Sequence, residues 1–158
     1  MEEGVIKFKQ NLIIKQPVQH ELIATLNSWR QILFLHGLIG QDDNKYSGAG
    51  YGNVSQLLQP YDLPKGKKRF IITGTQTGRL DQLTEEHYTI VTECDYRNNS
   101  IKAEGQIEAS SETMTHGALY DHWNTTRYVF HVHSPSIWKA TKRLEIPETR
   151  KNVEYGTL

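Results

Sequence analysis

Residues 127–138 read RYVFHVHSPSIW and place two histidines, His131 and His133, one residue apart after a short apolar run. The aromatic and β-branched residues 128–130 favour a strand, and Pro135 favours a helix start directly after it. Side chains at positions i and i+2 of a strand point to the same side, so the two imidazoles are predicted to lie side by side. Such a pair suits two of the four ligand positions of a tetrahedral zinc site. The alternative interpretation is that both are ordinary surface or core histidines that bind no metal.

Helices and strands alternate through the sequence that precedes this stretch. Apolar residues at helical spacing begin after Pro17, so a helix is predicted with Pro17 in its first turn and Gly37 or Gly40 at its end. Strands are predicted at 54–58, in RFIITGTQTG (69–78) and in LTEEHYTIVTEC (83–94), where one helical turn comes first. A second helix is predicted with Ser110 or Ser111 as its cap and Glu112 in its first turn. This interleaving predicts an α/β or α+β domain.

Composition excludes several classes of protein. The chain of 158 residues fits one domain, and 18 basic residues balance 18 acidic ones, which argues against binding to nucleic acid or an anionic membrane. No apolar run reaches the ~18 residues of a membrane span, and the first residues do not resemble a secretory signal. Cys94 has no partner for an internal disulfide, so a cytoplasmic location is the default expectation. The basic cluster of Lys65, Lys67, Lys68 and Arg69 is interpreted as a solvated loop.

Three further groups of residues could carry chemistry. Glu112 stands at a predicted helix start beside Ser110 and Ser111, where backbone amides and hydroxyls could hold an anion or could serve only to cap the helix. His116, one turn later, is interpreted as structural. The Gly-rich turns GAGYGNVS (48–55) and ITGTQTG (72–78) could cradle an oxyanion, although neither matches a P-loop or a dinucleotide fingerprint.

Four of these signals occur together in a fixed order. They are GNVS (52–55), ITG (72–74) with GRL (78–80), SSE (110–112) with His116 and Tyr120, and HVH (131–133). In this order and at these spacings they resemble the class II aldolase/adducin family, from the helix at Pro17 to YGT at 155–157. That family includes L-fuculose-1-phosphate aldolase, L-ribulose-5-phosphate 4-epimerase and methylthioribulose-1-phosphate dehydratase.

The resemblance implies a three-layer αβα fold around a mainly antiparallel sheet, assembled as a four-fold homotetramer. It makes His131 and His133 ligands of Zn²⁺ or another divalent metal, and it makes Glu112 the catalytic acid/base, which can also approach the metal when no substrate is present. It further implies that Asn53 contacts the phosphate and the reacting oxygens of the substrate. The phosphate cradle would be formed by Thr73, Gly74, Ser110 and Ser111, with Thr77 and Gly78 as the alternative pair.

The function that the resemblance implies is that of a zinc-dependent, aldolase-type lyase. Its substrate would be a small hydroxy-carbonyl compound, with or without a phosphate, cleaved through a metal-stabilised enediolate. Two alternatives stay open: a non-catalytic, adducin-like scaffold, and an epimerase or dehydratase that uses the same metal.

Two departures from the family pattern qualify this expectation. The third zinc histidine of the family lies beyond the YGT segment in an H-G turn, whereas this sequence stops at Leu158. Residues 1–158 are therefore expected to form one domain that is incomplete at its C-terminal end. The turn TGTQTG (73–78) also replaces the usual TPSG, so the phosphate specificity stays open.

Overall fold

The computed structural model describes residues 5–150. Its elements, in chain order, are β1 (Lys9–Ile14), α1 (His20–Leu35), β2 (Gly40–Gln41), β3 (Gly50–Tyr51), β4 (Asn53–Leu57), β5 (Phe70–Thr73), β6 (Tyr88–Asp95), β7 (Ser100–Gly105), α2 (Thr113–His122), β8 (Tyr128–His131) and α3 (Pro135–Ala140). Short 3₁₀ turns lie at Tyr46–Gly48 and Glu85–His87. Within the described residues, no helix is long and apolar enough to cross a membrane.

Six of the strands form one mixed sheet in the order β1-β7-β6-β5-β4-β8, and β2 pairs with β3 separately. Only β1 and β7 run parallel, whereas every other neighbouring pair of the large sheet is antiparallel. A register shift between Val91 and Glu93 interrupts the β6–β7 pairing. The predicted α/β class and the mainly antiparallel sheet are therefore confirmed.

The central strand β5 is buried on both faces, which explains its unbroken apolar sequence. Phe70 and Ile72 belong to a core cluster that also contains Met114 and Tyr120 of α2. Ile71 points the other way, into a second cluster that includes Ile23 and Leu26 of α1. Because successive strand residues alternate in direction, the two helices pack against different faces of the sheet. The ends of β4 and β5 are thereby held in fixed positions.

The first predicted helix is confirmed, with a different start. It begins at His20, because the chain remains extended through Gln19 (ψ 138°), so the prediction that Pro17 lies in its first turn is wrong. It ends at Leu35, and Gly37 adopts a φ of +66° that suits glycine. The backbone N–H of Gly37 donates to the carbonyl of Phe34 at 2.9 Å. The prediction that Gly37 ends this helix is confirmed.

The second predicted helix also forms, and its cap differs from the prediction. Glu112 itself is the N-cap residue, so the predictions of a serine cap and of Glu112 in the first turn are wrong. The carbonyl of Ser110 accepts hydrogen bonds from both the backbone N–H and the hydroxyl of Thr113. Because the main chain of Ser110 supports the helix start, Glu112 is placed at the boundary between loop and helix.

A buried arginine fixes the loop that follows β5. Arg30 of α1 is 1% exposed, and its guanidinium donates to the carbonyls of Thr77, Leu80 and Asp81. Burial lowers the pKa of Arg30 below its usual value. A planar donor with several N–H groups can bind three carbonyls at once, which anchors the turn after β5 on α1.

Candidate active site

Residues from three strand ends and one helix start meet at one end of the sheet. Asn53 opens β4 and His131 closes β8, and the antiparallel register places these two residues opposite each other. Gly74 directly follows β5, and its pairing with Ala109 draws the loop before α2 to the same end. Sequence positions that are far apart thus converge because of the strand register.

A small recess opens at this convergence. It is lined by Gly50, Tyr51, Gly52, Asn53, Gly74, Thr75, Gln76, Thr77, Gly78, Ser110, Ser111 and His131. Most of the residues proposed from the sequence to bind phosphate therefore lie around one space, which is rich in backbone amides. Such amide-rich turns suit an oxyanion.

Thr73 is placed differently from the other predicted cradle residues. Its side chain is buried, and its hydroxyl accepts the backbone N–H of Val54 at 3.3 Å. Thr73 thus connects β5 to β4 and is not among the residues that line the recess. Thr77 and Gly78, the alternative pair, do line the recess. The role of each of these residues in binding a substrate stays a prediction.

The two histidines lie beside each other, with ring centroids 4.9 Å apart. β8 ends at His131, so His133 follows the strand and is held by its backbone N–H, which donates to the carbonyl of Leu38 at 2.9 Å. The rings of Tyr46 and Tyr51 pack against His133 at centroid distances of 4.6 and 5.3 Å. Burial, and to a lesser degree the neighbouring His131, lower the pKa of His133 to about 4. Neutral imidazole is the form that binds metals.

Asn53 contacts the first histidine directly. Its Nδ2 lies 3.2 Å from Nδ1 of His131, while its own Oδ1 is buried without a hydrogen-bond partner in the described part of the chain. A histidine that binds a metal through one nitrogen usually donates its other N–H to an oxygen. A half-turn of the Asn53 amide would offer Oδ1 for that purpose. Asn53 therefore suits an orienting role toward His131.

Glu112 is 8% exposed and only partly hydrogen-bonded. Its Oε2 accepts the hydroxyl of Thr115 at 3.1 Å. Its Oε1 is shielded from solvent, and no donor to it is found among residues 5–150. Since nearly all buried polar atoms in proteins have partners, this oxygen is available to accept a hydrogen bond or to bind a cation.

His116 belongs to a buried network that the sequence did not reveal. Its Nδ1 lies 2.6 Å from Oγ of Ser55, and that oxygen lies 2.7 Å from the hydroxyl of Tyr120. His116 is 1% exposed, and its Nε2 has no partner in the described residues. Burial, followed by the charge of His131, lowers the pKa of His116 to about 3. Its position four residues after Glu112, on the same helix face, was the available signal.

The buried His116 and the half-buried His133 predict loss of stability in acid. In the folded chain the pKa values of His116 and His133 lie near 3 and 4, below the ordinary 6.5, so the unfolded chain binds protons first as the pH falls. The free energy of unfolding is expected to be unaffected by these groups above pH 6.5. It should fall from pH 6.5 toward pH 4 by roughly one kcal/mol per pH unit for each histidine. Urea unfolding of the metal-free chain at several pH values measures this slope, and a flat profile would contradict it.

Two glycines of the recess predict different effects of an added methyl group on stability. A Cβ at Gly78 would lie 2.3 Å from the carbonyl oxygen of Gly40. Because this is a backbone atom, relieving the clash would require the main chain to shift. A Cβ at Gly50 would meet nothing closer than 3.7 Å. Gly78→Ala is therefore expected to destabilise the chain by about 1–3 kcal/mol, whereas Gly50→Ala should change stability little. Equal free energies of unfolding for the two variants would refute this account of the recess.

The residues present fit part of a metal site. Two neutral imidazoles can occupy two positions of a tetrahedral zinc site. Across residues 5–150, no group of three or more His, Cys, Asp or Glu side chains is placed to hold a metal. The described part of the chain therefore offers two of the expected ligands, and the YGT segment at 155–157 lies outside it.

Comparison with family models found a match over most of the chain. The model of the class II aldolase and adducin N-terminal domain matches residues 41–155. The chain belongs to this family. The match covers every element from β3 to α3, including all residues of the recess. Comparisons with curated proteins and with solved structures found no match. Family membership supports a general aldolase-like or adducin-like role.

Proposed function

We propose that this chain is a divalent-metal-dependent, aldolase-type lyase that acts on a small hydroxy-carbonyl compound. The observation that carries the proposal is the pair of imidazoles of His131 and His133, whose ring centroids lie 4.9 Å apart beside the recess that His131, Ser110 and Ser111 line. Glu112 directly follows these serines, and its Oε1 is buried without a partner in the described residues. A scaffold would have no use for a solvent-shielded carboxylate oxygen at this place, because an unsatisfied buried acceptor costs stability.

His131 and His133 are the residues that would hold the metal, with Asn53 orienting His131. When bound, the metal supplies a Lewis acid for the oxygens of the substrate. The rings of Tyr46 and Tyr51 cover part of the His133 ring, and Glu112 is itself 8% exposed, so both groups would be partly shielded from water. Exclusion of water strengthens the interactions of charged groups there.

Glu112 would move the proton. Its Oε1 is unoccupied by any donor in the described part of the chain, so this oxygen could take a proton from the carbon or hydroxyl next to the substrate carbonyl and return it later. Thr115 holds Oε2 and thus limits rotation of the carboxylate. Because Glu112 stands at the N-cap of α2, its backbone is fixed by the helix.

The recess would bind the rest of the substrate. The amides of the turn at 74–78 and the hydroxyls of Ser110 and Ser111 line it, and groups of this kind bind phosphate or carboxylate. Anchoring an anionic group away from the reacting carbon positions the substrate for Glu112. We therefore expect a phosphorylated substrate to react faster than its unphosphorylated counterpart.

Four wider features of the proposal depend on the family resemblance. We propose one domain over residues 1–158, a three-layer αβα arrangement, a homotetramer and a cytoplasmic location. The packing of α1 and α2 against different faces of β5 supports the layered arrangement.

Proton exchange in D₂O tests the function without knowledge of the natural substrate. The full chain, with Zn²⁺ or with EDTA, is incubated with dihydroxyacetone phosphate or dihydroxyacetone, and loss of the C–H signal is followed by proton NMR. We expect exchange that requires the metal and is faster for the phosphorylated compound. A folded, zinc-loaded chain that causes no exchange above buffer would contradict the lyase proposal and favour an adducin-like role.

A further inference from the structure

Lys68 is buried, although the sequence places it in a strongly basic loop. It is 6% exposed, so the interpretation of residues 65–69 as a solvated cluster is wrong at this position. Its Nζ donates to the carbonyl of Tyr61 at 2.8 Å. An ammonium group has three donors, and no carboxylate of the described residues lies within 4 Å of it to form an ion pair. A buried charge without such a partner is costly.

Lys68 faces a cleft that is separate from the candidate active site. The cleft has a volume of about 570 Å³ and is lined by Tyr61, Asp62, Leu63, Lys65, Lys68, Asp121, His122 and Asn124. Along α2, Asp121 at the cleft lies nine residues after the N-cap Glu112 of the candidate active site, a distance of about 14 Å. The volume lies within the usual range of small-molecule sites.

Asp121 requires that a ligand of the cleft carry a hydrogen-bond donor. Its Oδ2 accepts the backbone N–H of Gly66 at 2.8 Å and the hydroxyl of Tyr96 at 2.7 Å. Its Oδ1 is shielded from solvent, and within residues 5–150 it has no donor. A carboxylate oxygen repels an anion that has no hydrogen-bond donor, and it accepts a hydrogen bond from a ligand that carries an O–H or N–H group. The C-terminal end of α2 also disfavours an anion that carries no donor.

We propose that this cleft is a second binding site, for a small phosphate that carries a hydroxyl hydrogen. The negative oxygens of the ligand would bind the ammonium of Lys68, and its O–H would donate to Oδ1 of Asp121. Hydrogen phosphate and phosphorylated polyols share this chemistry. The site is independent of the function proposed above, since none of its residues lines the active-site recess.

A comparison of phosphate with sulfate tests the proposal on the unmodified chain. The ¹⁵N-labelled full chain is titrated at pH 7 and constant ionic strength with inorganic phosphate, with sulfate and with glycerol 3-phosphate, and amide shifts are followed. Phosphate keeps a proton at this pH and sulfate does not. We expect saturable shifts at Gly66 and Asp121 with phosphate, and at least about tenfold weaker binding of sulfate. Glycerol 3-phosphate distinguishes a sugar-phosphate-like ligand from free phosphate by its higher affinity.

Two variants separate the parts of the proposal. Lys68→Met is expected to weaken phosphate binding at the cleft by at least about tenfold. The matched control Lys67→Met removes the same charge from an exposed residue that is paired with Glu93, and it should leave binding unchanged. Asp121→Asn places an amide N–H₂ where Oδ1 lies, so sulfate should then bind as well as phosphate does.

The readouts also distinguish this cleft from the active site. Binding at the recess moves the amides of Gly74 and Ser111, whereas binding at the cleft moves those of Gly66 and Asp121. Absence of saturable shifts at the cleft, or equal binding of phosphate and sulfate by the unmodified chain, would overturn the proposal. So would unchanged phosphate binding in a folded Lys68→Met variant. If that variant does not fold, the comparison of phosphate with sulfate decides alone.

Discussion

Replacement of His131 and His133 together by alanine is expected to abolish zinc binding while the chain remains folded. The two rings lie 4.9 Å apart, and both belong to the end of β8 and the segment after it. Loss of both imidazoles removes the pair of ligands that the described residues offer to a metal. Elemental analysis after dialysis should find near one zinc per unmodified chain and only background zinc in the double variant.

The control for this experiment is a second pair of histidines. His20 and His36 are exposed and lie near the two ends of α1, so their replacement by alanine removes the same number of imidazoles from the chain. This control variant should retain its zinc. Circular dichroism establishes that both variants are folded. Zinc retained by the His131/His133 variant, or absent from the folded unmodified chain, would show that these rings are not ligands.

The local elements could be predicted because their apolar residues follow clear periods. The helix α1 and the strands β4, β5, β6 and β8 fall within a few residues of their predicted positions. The strand β7 was not predicted, because its inward positions are filled by Ile101, Ala103 and Gly105, of which two are small. It pairs in parallel with β1, more than ninety residues earlier, and such a distant pairing cannot be recognised from the sequence near either strand.

The sequence motifs of the candidate site could be predicted, but the contacts between residues of different motifs could not. Asn53 and His131 each stood out in the sequence, but their contact depends on the register between β4 and β8. The hydrogen bond between Ser55 of β4 and His116 of α2 joins a strand to a helix, so neither sequence motif alone could predict it. Lys68 illustrates the opposite error, since a basic run predicts exposure and only the fold shows that one member is buried.

Glu112→Gln is expected to lower the rate of proton exchange in the dihydroxyacetone phosphate assay by about 10²- to 10⁴-fold, the usual range for loss of a general acid/base. The amide has nearly the same shape and retains an oxygen that can accept the hydroxyl of Thr115. It cannot take a proton from carbon. Zinc content should stay close to that of the unmodified chain, because the imidazoles of His131 and His133 are unchanged.

Two matched variants show whether this loss belongs to the carboxylate of Glu112 itself. Glu108→Gln makes the same chemical change at an exposed residue four positions earlier, and it should leave the rate of exchange unchanged. Thr115→Val removes the hydrogen bond to Oε2 and should produce a smaller loss than Glu112→Gln, since the carboxylate remains but is less restrained. If Glu112→Gln exchanges protons as fast as the unmodified chain, another group must move the proton. Because the unpartnered Oε1 of Glu112 carries the proposed mechanism, that result would remove its main support.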